Sequence, residues 1–497
     1  MFLPVRFATL RLQEENYSGR GDTAIASHPL RYAMTYRQLD LTGSRRMLFS
    51  RTACRGILPI VFLLFCFSNS TLHAQEVEPG LDTGDTAWIL ASTALVLFMT
   101  IPALALFYGG LVRTKNVLSV LMQCLILTAL LSLVWVVCGY SLAFDTSGMV
   151  KGEVGRGAFV GGWSMAFLKG VTPNALTGTI PTILHAAFQM TFAVITPALM
   201  VGAFVERMKF SAVLVFSSIW LLIVYIPICH MTWAGDGGLF ADWGVMDFAG
   251  GIVVHVTAGL GALVACIMVG PRAGYPKSLD PPHNMTMTVT GTAMLWVGWF
   301  GFNAGSAVAA NGDAGMAMLV THISAAVAAL VWMSVEWIKQ GKPTVVGIAT
   351  GMVAGLATIT PAAGTVGPEG ALLIGLLAGV VCFYATQLIK SVLKIDDSLD
   401  VFPVHGVGGM LGIIMLSLVG NPDGFLGAGA SGISESGALS QLSVQLIGIA
   451  LIFVWTAVFT WIILKFISMI TGLRVDDETE SQGLDLISHG ERGYNME

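Results

Sequence analysis

The chain has 497 residues, of which 55% are hydrophobic and 11% charged, with 58 glycines and a formal net charge of −5. A soluble domain carries about a quarter charged residues, so this composition excludes an ordinary globular protein. The weakly acidic balance, with no basic tract, gives no footprint for nucleic acid. What remains is an all-α polytopic membrane protein embedded in a lipid bilayer, whose glycines let helices approach closely.

Residues 1–46 are polar and arginine-rich, end at Arg45-Arg46, and read as an extra segment from a mis-assigned start. Residues 47–74 have the order of a secretory signal peptide. Arg51 and Arg55 precede an apolar run over 57–67, and Thr71-Leu72-His73-Ala74 supplies a small-residue cleavage site. The mature chain is then expected to begin near Gln75 and to sit in the inner (cytoplasmic) cell membrane. Within 75–470, eleven apolar spans follow near 86–111, 117–143, 179–203, 209–230, 247–269, 285–308, 314–337, 344–360, 369–390, 402–419 and 442–469. Most approach the length of about twenty residues that crosses a bilayer core. A tail over 471–497 closes the chain.

Basic residues set the expected orientation. Arg113 and Lys115 follow the first span, Arg207 and Lys209 the third, Arg272 and Lys277 the fifth, Lys339 and Lys342 the seventh, Lys390 and Lys394 the ninth, and Arg474 the eleventh. The loops near 231–245, 309–313, 361–368 and 420–441 hold no lysine or arginine. Only the long loop 144–178, with Lys151, Arg156 and Lys169, breaks the contrast. The positive-inside rule then gives an outside amino terminus and an inside carboxy terminus. The cysteines show no paired spacing for a disulfide framework or a zinc site, and neither metal nor cofactor is expected.

Two ionisable pairs stand out in the apolar background. Asp247 is followed eight residues later by His255, and Asp397 eight residues later by His405; Gly259 and Gly409 each lie four residues past their histidine. Eight residues of α-helix rise about 12 Å and rotate about 80°, which puts each acid near a helix end and its histidine deeper. One such histidine is a packing residue more often than not. Two copies, opening the fifth and tenth spans, point to a site, because ionisable groups at membrane depth are expensive. Spans one to five and six to ten are odd-numbered sets of opposite orientation. The chain thus reads as an inverted 5+5 helix repeat plus a final helix, with the histidines meeting near the midplane.

Aromatic motifs accompany these pairs: FMTIPALALFYGGLVRTKNVLS in the first span, HAAFQMTF in the third, YIPICHMTW in the fourth, DFAGGIVVH in the fifth, GWFGFNAGS in the sixth and DVFPVHG in the tenth. Taken singly, each is an ordinary packing or interfacial stripe. In this order, from about Asp85 to the carboxy terminus, they resemble the bacterial ammonium transporter (methylammonium permease) family, related to the Rhesus proteins. The resemblance implies a non-enzymatic homotrimer with one pore per subunit, carrying ammonium or ammonia and methylammonium. It implies an outer recruitment site of Phe192, Trp233 and Ser306 with the buried acid Asp247 nearby. Stacked rings of Phe192 and Phe302 would form the gate, and His255 and His405 the twin-histidine centre with a proton relay. Phe107, Val254, Trp299 and Val401 would line the pore. The tail motifs GLRV, GLD and SHGE resemble those through which bacterial relatives meet a PII-type regulatory protein. The rival readings are an ammonium sensor built on the same pore, a haem-binding membrane oxidoreductase with the two histidines as axial ligands, and a channel for another small gas.

Overall fold

In lipid every backbone amide and carbonyl must be satisfied within the chain, so helices are the expected solution. The computed structural model describes residues 80–277, 281–420 and 437–494. The extra segment 1–46, the signal-like stretch 47–74 and the expected start near Gln75 lie outside the described residues.

The long helices are α1 (Thr83–Leu111), α2 (Thr114–Phe144), α3 (Thr182–Phe204), α4 (Phe210–Trp233), α5 (Gly251–Val269), α6 (Met285–Gly305), α7 (Gly312–Gln340), α8 (Val345–Ala362), α9 (Pro368–Val392), α10 (Phe402–Val419) and α11 (Ala438–Ile470). Among the described residues, ten of these are long and apolar enough to cross a membrane. The other, α6, has 21 residues and matches the sixth expected span, but four threonines and an asparagine dilute its apolar character. A two-residue hairpin pairs β1 (Leu176–Thr177) with β2 (Ile180–Pro181), just before α3. Along α11, Leu439, Val454, Trp461 and Ile470 are exposed, which suits a helix facing lipid rather than the bundle interior.

The two histidine helices depart from the regular winding expected of the sequence. Asp247 does not begin α5; it precedes a residue in left-handed conformation, Gly250 at φ 114°. Asp397 likewise precedes Asp400 at φ 62°, three positions on. Both α5 and α10 then open with π-helical turns, Gly251–Val256 and Phe402–Val407, which carry His255 and His405. Such turns are rare and concentrate at functional sites.

Small residues let these helices cross. A Cβ on Gly259 would lie 2.3 Å from the Gly406 nitrogen, beside His405. A Cβ on Gly409 would lie 3.0 Å from the His255 Cβ and 2.9 Å from the Gly251 carbonyl oxygen. The contact is therefore reciprocal: the glycine past each histidine meets the histidine turn of the other helix.

At the basic end of the bundle, buried Arg207 is held almost entirely by carbonyls. It donates to those of Gly270 (2.7 Å), Val205 (3.2 Å), Ala203 (3.0 Å) and Asp396 (2.7 Å), and to the Ser398 hydroxyl. Arg113 and Arg272 both pair with Glu206, and Arg272 also with Asp396. Burial works to raise the Glu206 carboxyl, but the two guanidiniums and Asn116 hold it below the usual carboxylate range. The tail docks on this cluster. Leu484 N–H donates to the Asn116 side chain, and the Asp485 carboxylate accepts from the N–H groups of Leu118 and Ser119. Asp485 thus caps the start of the regular α-helical run in α2 from more than 360 residues away, a run with no side-chain cap of its own.

At the opposite end, His230 ties α4 to the end of α2 and to the long loop. Its ring nitrogens lie 2.8 Å from the carbonyl oxygens of Ala143 and Gly157.

The crossing yields a direct test. Gly259→Val places methyl groups where the Gly406 backbone sits, and overpacking of this kind destabilises by about 1–3 kcal/mol or more. Gly148, where an added Cβ would meet nothing within 4 Å, is the control position. Thermal melting in detergent should show a large loss for Gly259→Val and none for Gly148→Ala.

Candidate functional site

The site is built on the start of α5. Four successive amides there have no helical partner, a deficit inherent to any helix amino terminus. Asp247 fills it: one carboxylate oxygen accepts from Gly250 (2.9 Å) and Gly251 (2.6 Å), the other from Ile252 (2.7 Å) and Val253 (3.0 Å). Asp397 does the same more sparingly for α10, accepting from Val401 (3.1 Å) and Phe402 (2.7 Å). The Asp247 carboxylate is therefore occupied by backbone. Its link outward is through its own carbonyl, which accepts from the Trp233 indole N–H at 2.8 Å.

From Trp233 a column of rings runs inward. Phe192 meets Trp233 edge-on, centroids 5.8 Å apart, and packs against Phe302 at 4.4 Å. Phe302 in turn lies over His255 at 5.9 Å, and His255 stacks on His405 at 5.2 Å and on Trp299 at 5.4 Å. Ser306 ends the same helix as Phe302. Its hydroxyl donates to the Phe302 carbonyl at 2.8 Å, which leaves the oxygen's lone pairs to accept.

Two cavities adjoin the column. The outer one, about 570 Å³, is bounded by Trp233, Tyr140, Phe144, His185 and Lys169 among others. The inner one holds about 10 Å³ and is lined by Phe107, Ile195, Trp299, Phe302, His255 and His405 with further apolar residues. A single water needs about 10–15 Å³, so the inner space admits one molecule of that size and no hydration shell.

The histidines are 1% and 4% exposed. Their Nδ1 atoms lie 3.2 Å apart, so one carries the hydrogen and the other accepts it. That contact leaves no gap for a macrocycle between the rings, which removes the geometry that axial haem ligation needs. The Nε2 atom of His255 is buried without a partner among the described residues. A buried polar atom without a partner, on a wall of the cavity, is what a hydrogen-bonding guest would satisfy.

Of the expected pore residues, Phe107 and Trp299 line the inner cavity, while Val254 and Val401 are buried beside the capped helix starts and do not line it. Val254 instead presses on Gly250, where its Cγ2 would lie 2.7 Å from an added Cβ. Sequence reasoning passed over Tyr108, a neighbour of Phe107 in the FYGG motif. It lines the cavity and donates its hydroxyl to the Leu199 carbonyl at 2.9 Å. It also passed over Thr360, which receives the Trp299 indole N–H at 2.9 Å and so fixes that ring. A lone threonine next to a proline carries no signal of this role.

With this geometry in view, comparison with known proteins is decisive. The Ammonium Transporter Family model matches residues 87–494. The chain belongs to the ammonium transporter family. An ammonium transporter of Aquifex aeolicus is 41% identical over 442 residues, covering 89% of this chain and 99% of that protein. An ammonium transporter of Bacillus subtilis is 43% identical over 413 residues, covering 83% and 98%. Among solved structures, Candida albicans Mep2 superposes with a TM-score of 0.73 at 34% identity, covering 81% of this chain and 89% of that one. A structure described as a sensor Amt protein gives 0.74 at 27% identity, covering 82% and 98%. The chain is accordingly a multi-pass membrane protein of an ammonium-transporting family.

Within this ammonium transporter, the capping geometry makes Asp247 testable. Asp247→Ala strips four buried amides of their acceptor, and each unsatisfied group costs about 1–3 kcal/mol. The variant should melt far below wild type and bind ammonium weakly, since the Trp233 anchor moves with the loop. Asp247→Glu should recover part of both; an Asp247→Ala protein with wild-type melting and affinity would contradict the capping role.

Proposed function

We propose that this protein holds ammonium at an outer aromatic site, strips its proton there and conducts neutral ammonia past the gate to the twin histidines. The observation that carries the reading is the unbroken column Trp233, Phe192, Phe302, His255, His405. One end offers ring faces and a hydroxyl acceptor; the other offers imidazole nitrogens inside an apolar cavity.

Ammonium has an amine-like pKa in the region of lysine's value of about 10, so nearly all of it is charged at neutral pH. Trp233 and Phe192 would attract the cation through their ring faces, at roughly 0.5–2 kcal/mol per contact. Ser306 would accept one N–H. Potassium has a similar charge but no proton to donate or give up. Past the Phe192–Phe302 gate the lumen is dry, and a bare cation there is penalised by at least about 2.5–3.5 kcal/mol. Ammonia is neutral and can donate to and accept from imidazole nitrogen; the unpartnered His255 Nε2 supports that use. The shared Nδ1 hydrogen would let the pair pass a proton separately. In this reading Asp247 is a positioning residue, acting through the amides and through Trp233. Methylammonium would follow the same route.

The membrane arrangement belongs to the same proposal: eleven spans, an inverted 5+5 repeat plus a final helix, amino terminus outside and carboxy terminus inside. The reciprocal crossing at Gly259 and Gly409 supports the repeat, and the arginine cluster at one end supports the orientation. The mature chain would begin near Gln75 after signal cleavage and assemble as a homotrimer in the inner cell membrane. The docked tail, with Asp485 at its centre, would be the cytoplasmic regulatory segment and the surface for a PII-type partner.

Two measurements test these claims. In proteoliposomes, His255→Asp should admit potassium, because a carboxylate in the lumen offsets much of the desolvation that excludes a bare cation. Trp233→Leu should weaken ammonium affinity and leave potassium excluded. A His255→Asp protein that still rejects potassium, together with a fully active His255→Ala protein, would mean that the histidines are packing residues. Native mass spectrometry of membrane-purified protein should separately show three chains, each starting near Gln75, and added mass when a PII-type protein is supplied. Monomers, or chains retaining 1–46, would contradict the assembly or the processing.

A further inference from the structure

Among the described residues, His185 is the one imidazole on the wall of the outer cavity, and neither the gate nor the twin-histidine centre uses it. It stands seven residues before Phe192 on α3, two turns outward at about 10 Å and on the same helix face. Its ring packs edge-on against Phe144 at 4.9 Å, and its Nδ1 meets the Tyr140 hydroxyl at 3.2 Å. In the tautomer that donates Nδ1–H to the Tyr140 oxygen, the lone pair falls on Nε2. No hydrogen bond to Nε2 occurs among the described residues.

We propose that His185 is the proton acceptor of the outer cavity. An ammonium ion in the space shared with Trp233 donates one N–H to Nε2, directly or through cavity water. The N–H bond breaks with its electron pair staying on nitrogen, the proton bonds to Nε2, and ammonia leaves toward Phe192. The imidazolium, hydrogen-bonded to Tyr140, then returns its proton to water in the cavity, which resets the site without passing charge through the gate. The other groups facing His185 are few. Tyr140 holds its Nδ1 side, Lys169 lies on the same wall, and Asp145 is engaged by Ser164 and Ser147.

This inference rests on the outer cavity being the side from which ammonium arrives, so the experiment separates the two. Purified full-length protein in liposomes is assayed for methylammonium uptake across external pH from about 4 to 8. His185→Gln keeps an acceptor of similar reach but cannot take a proton. It should lower the maximal rate by about 10²-fold with little change in KM, as expected for loss of an acid–base group. The remaining rate should lose its pH dependence over that range. Tyr140→Phe, which removes the Nδ1 partner, should move the wild-type profile without abolishing transport. External imidazole should restore part of the rate to His185→Gly and none to wild type. A His185→Gln protein with the wild-type rate and profile overturns the proposal, as does a rate loss equal at all pH values with no imidazole rescue. If instead Trp233→Leu leaves the KM unchanged, the assignment of the outer cavity itself fails.

Discussion

Two carboxylates buried beside helix starts set the shape of this protein. Asp247 and Asp397 each spend their oxygens on backbone amides of their own chain, and each is followed by a left-handed residue and a π-helical turn that bears a histidine. A helix beginning inside the bundle would otherwise leave amides bare in a medium without water. Once those amides are capped, the chain can bring two broken helices together at glycines and set two imidazoles against each other. The Phe192–Phe302 contact, the small inner cavity and the placement of Trp233 all hang from this arrangement.

A division of labour follows. In the proposed reading, the groups that would attract a cation, the ring faces and the Ser306 oxygen, serve the outer side of the Phe192–Phe302 contact. Groups that can hydrogen-bond a neutral amine lie past it, where about 10 Å³ of space leaves no room for a hydration shell. The buried acids turn their oxygens to the backbone amides of their own helix starts. At the far end, Arg207 and the Glu206 cluster knit the two halves to the tail, so the tail's hold on α2 through Asp485 is continuous with the core that carries the histidines.

Much of this was legible from residue order. The repeated spacing from acid to histidine to glycine marked both half-helices, and long apolar runs with basic ends gave the spans. The local winding was not legible. Regular helical geometry put Asp247 at the first position of the fifth span, whereas it stands just outside α5 and caps it, because four free amides there need an acceptor. Val254 and Val401, expected to line the pore, are buried beside the capped turns and lie outside the lining of the small inner cavity. Tyr108, Thr360 and His185 owe their positions to partners 45 to 91 residues away, which no local pattern encodes. The docking of Asp485 on α2 is likewise a contact across nearly the whole chain.

The central claim is that a dehydrated lumen behind an aromatic gate admits the neutral amine and refuses a bare cation of the same charge. Wild-type protein in liposomes, challenged in one recording with ammonium and then potassium gradients, tests it most directly. The account predicts nitrogen uptake from ammonium and no potassium flux even with potassium in large excess. Potassium carried at a rate comparable to ammonium would contradict it.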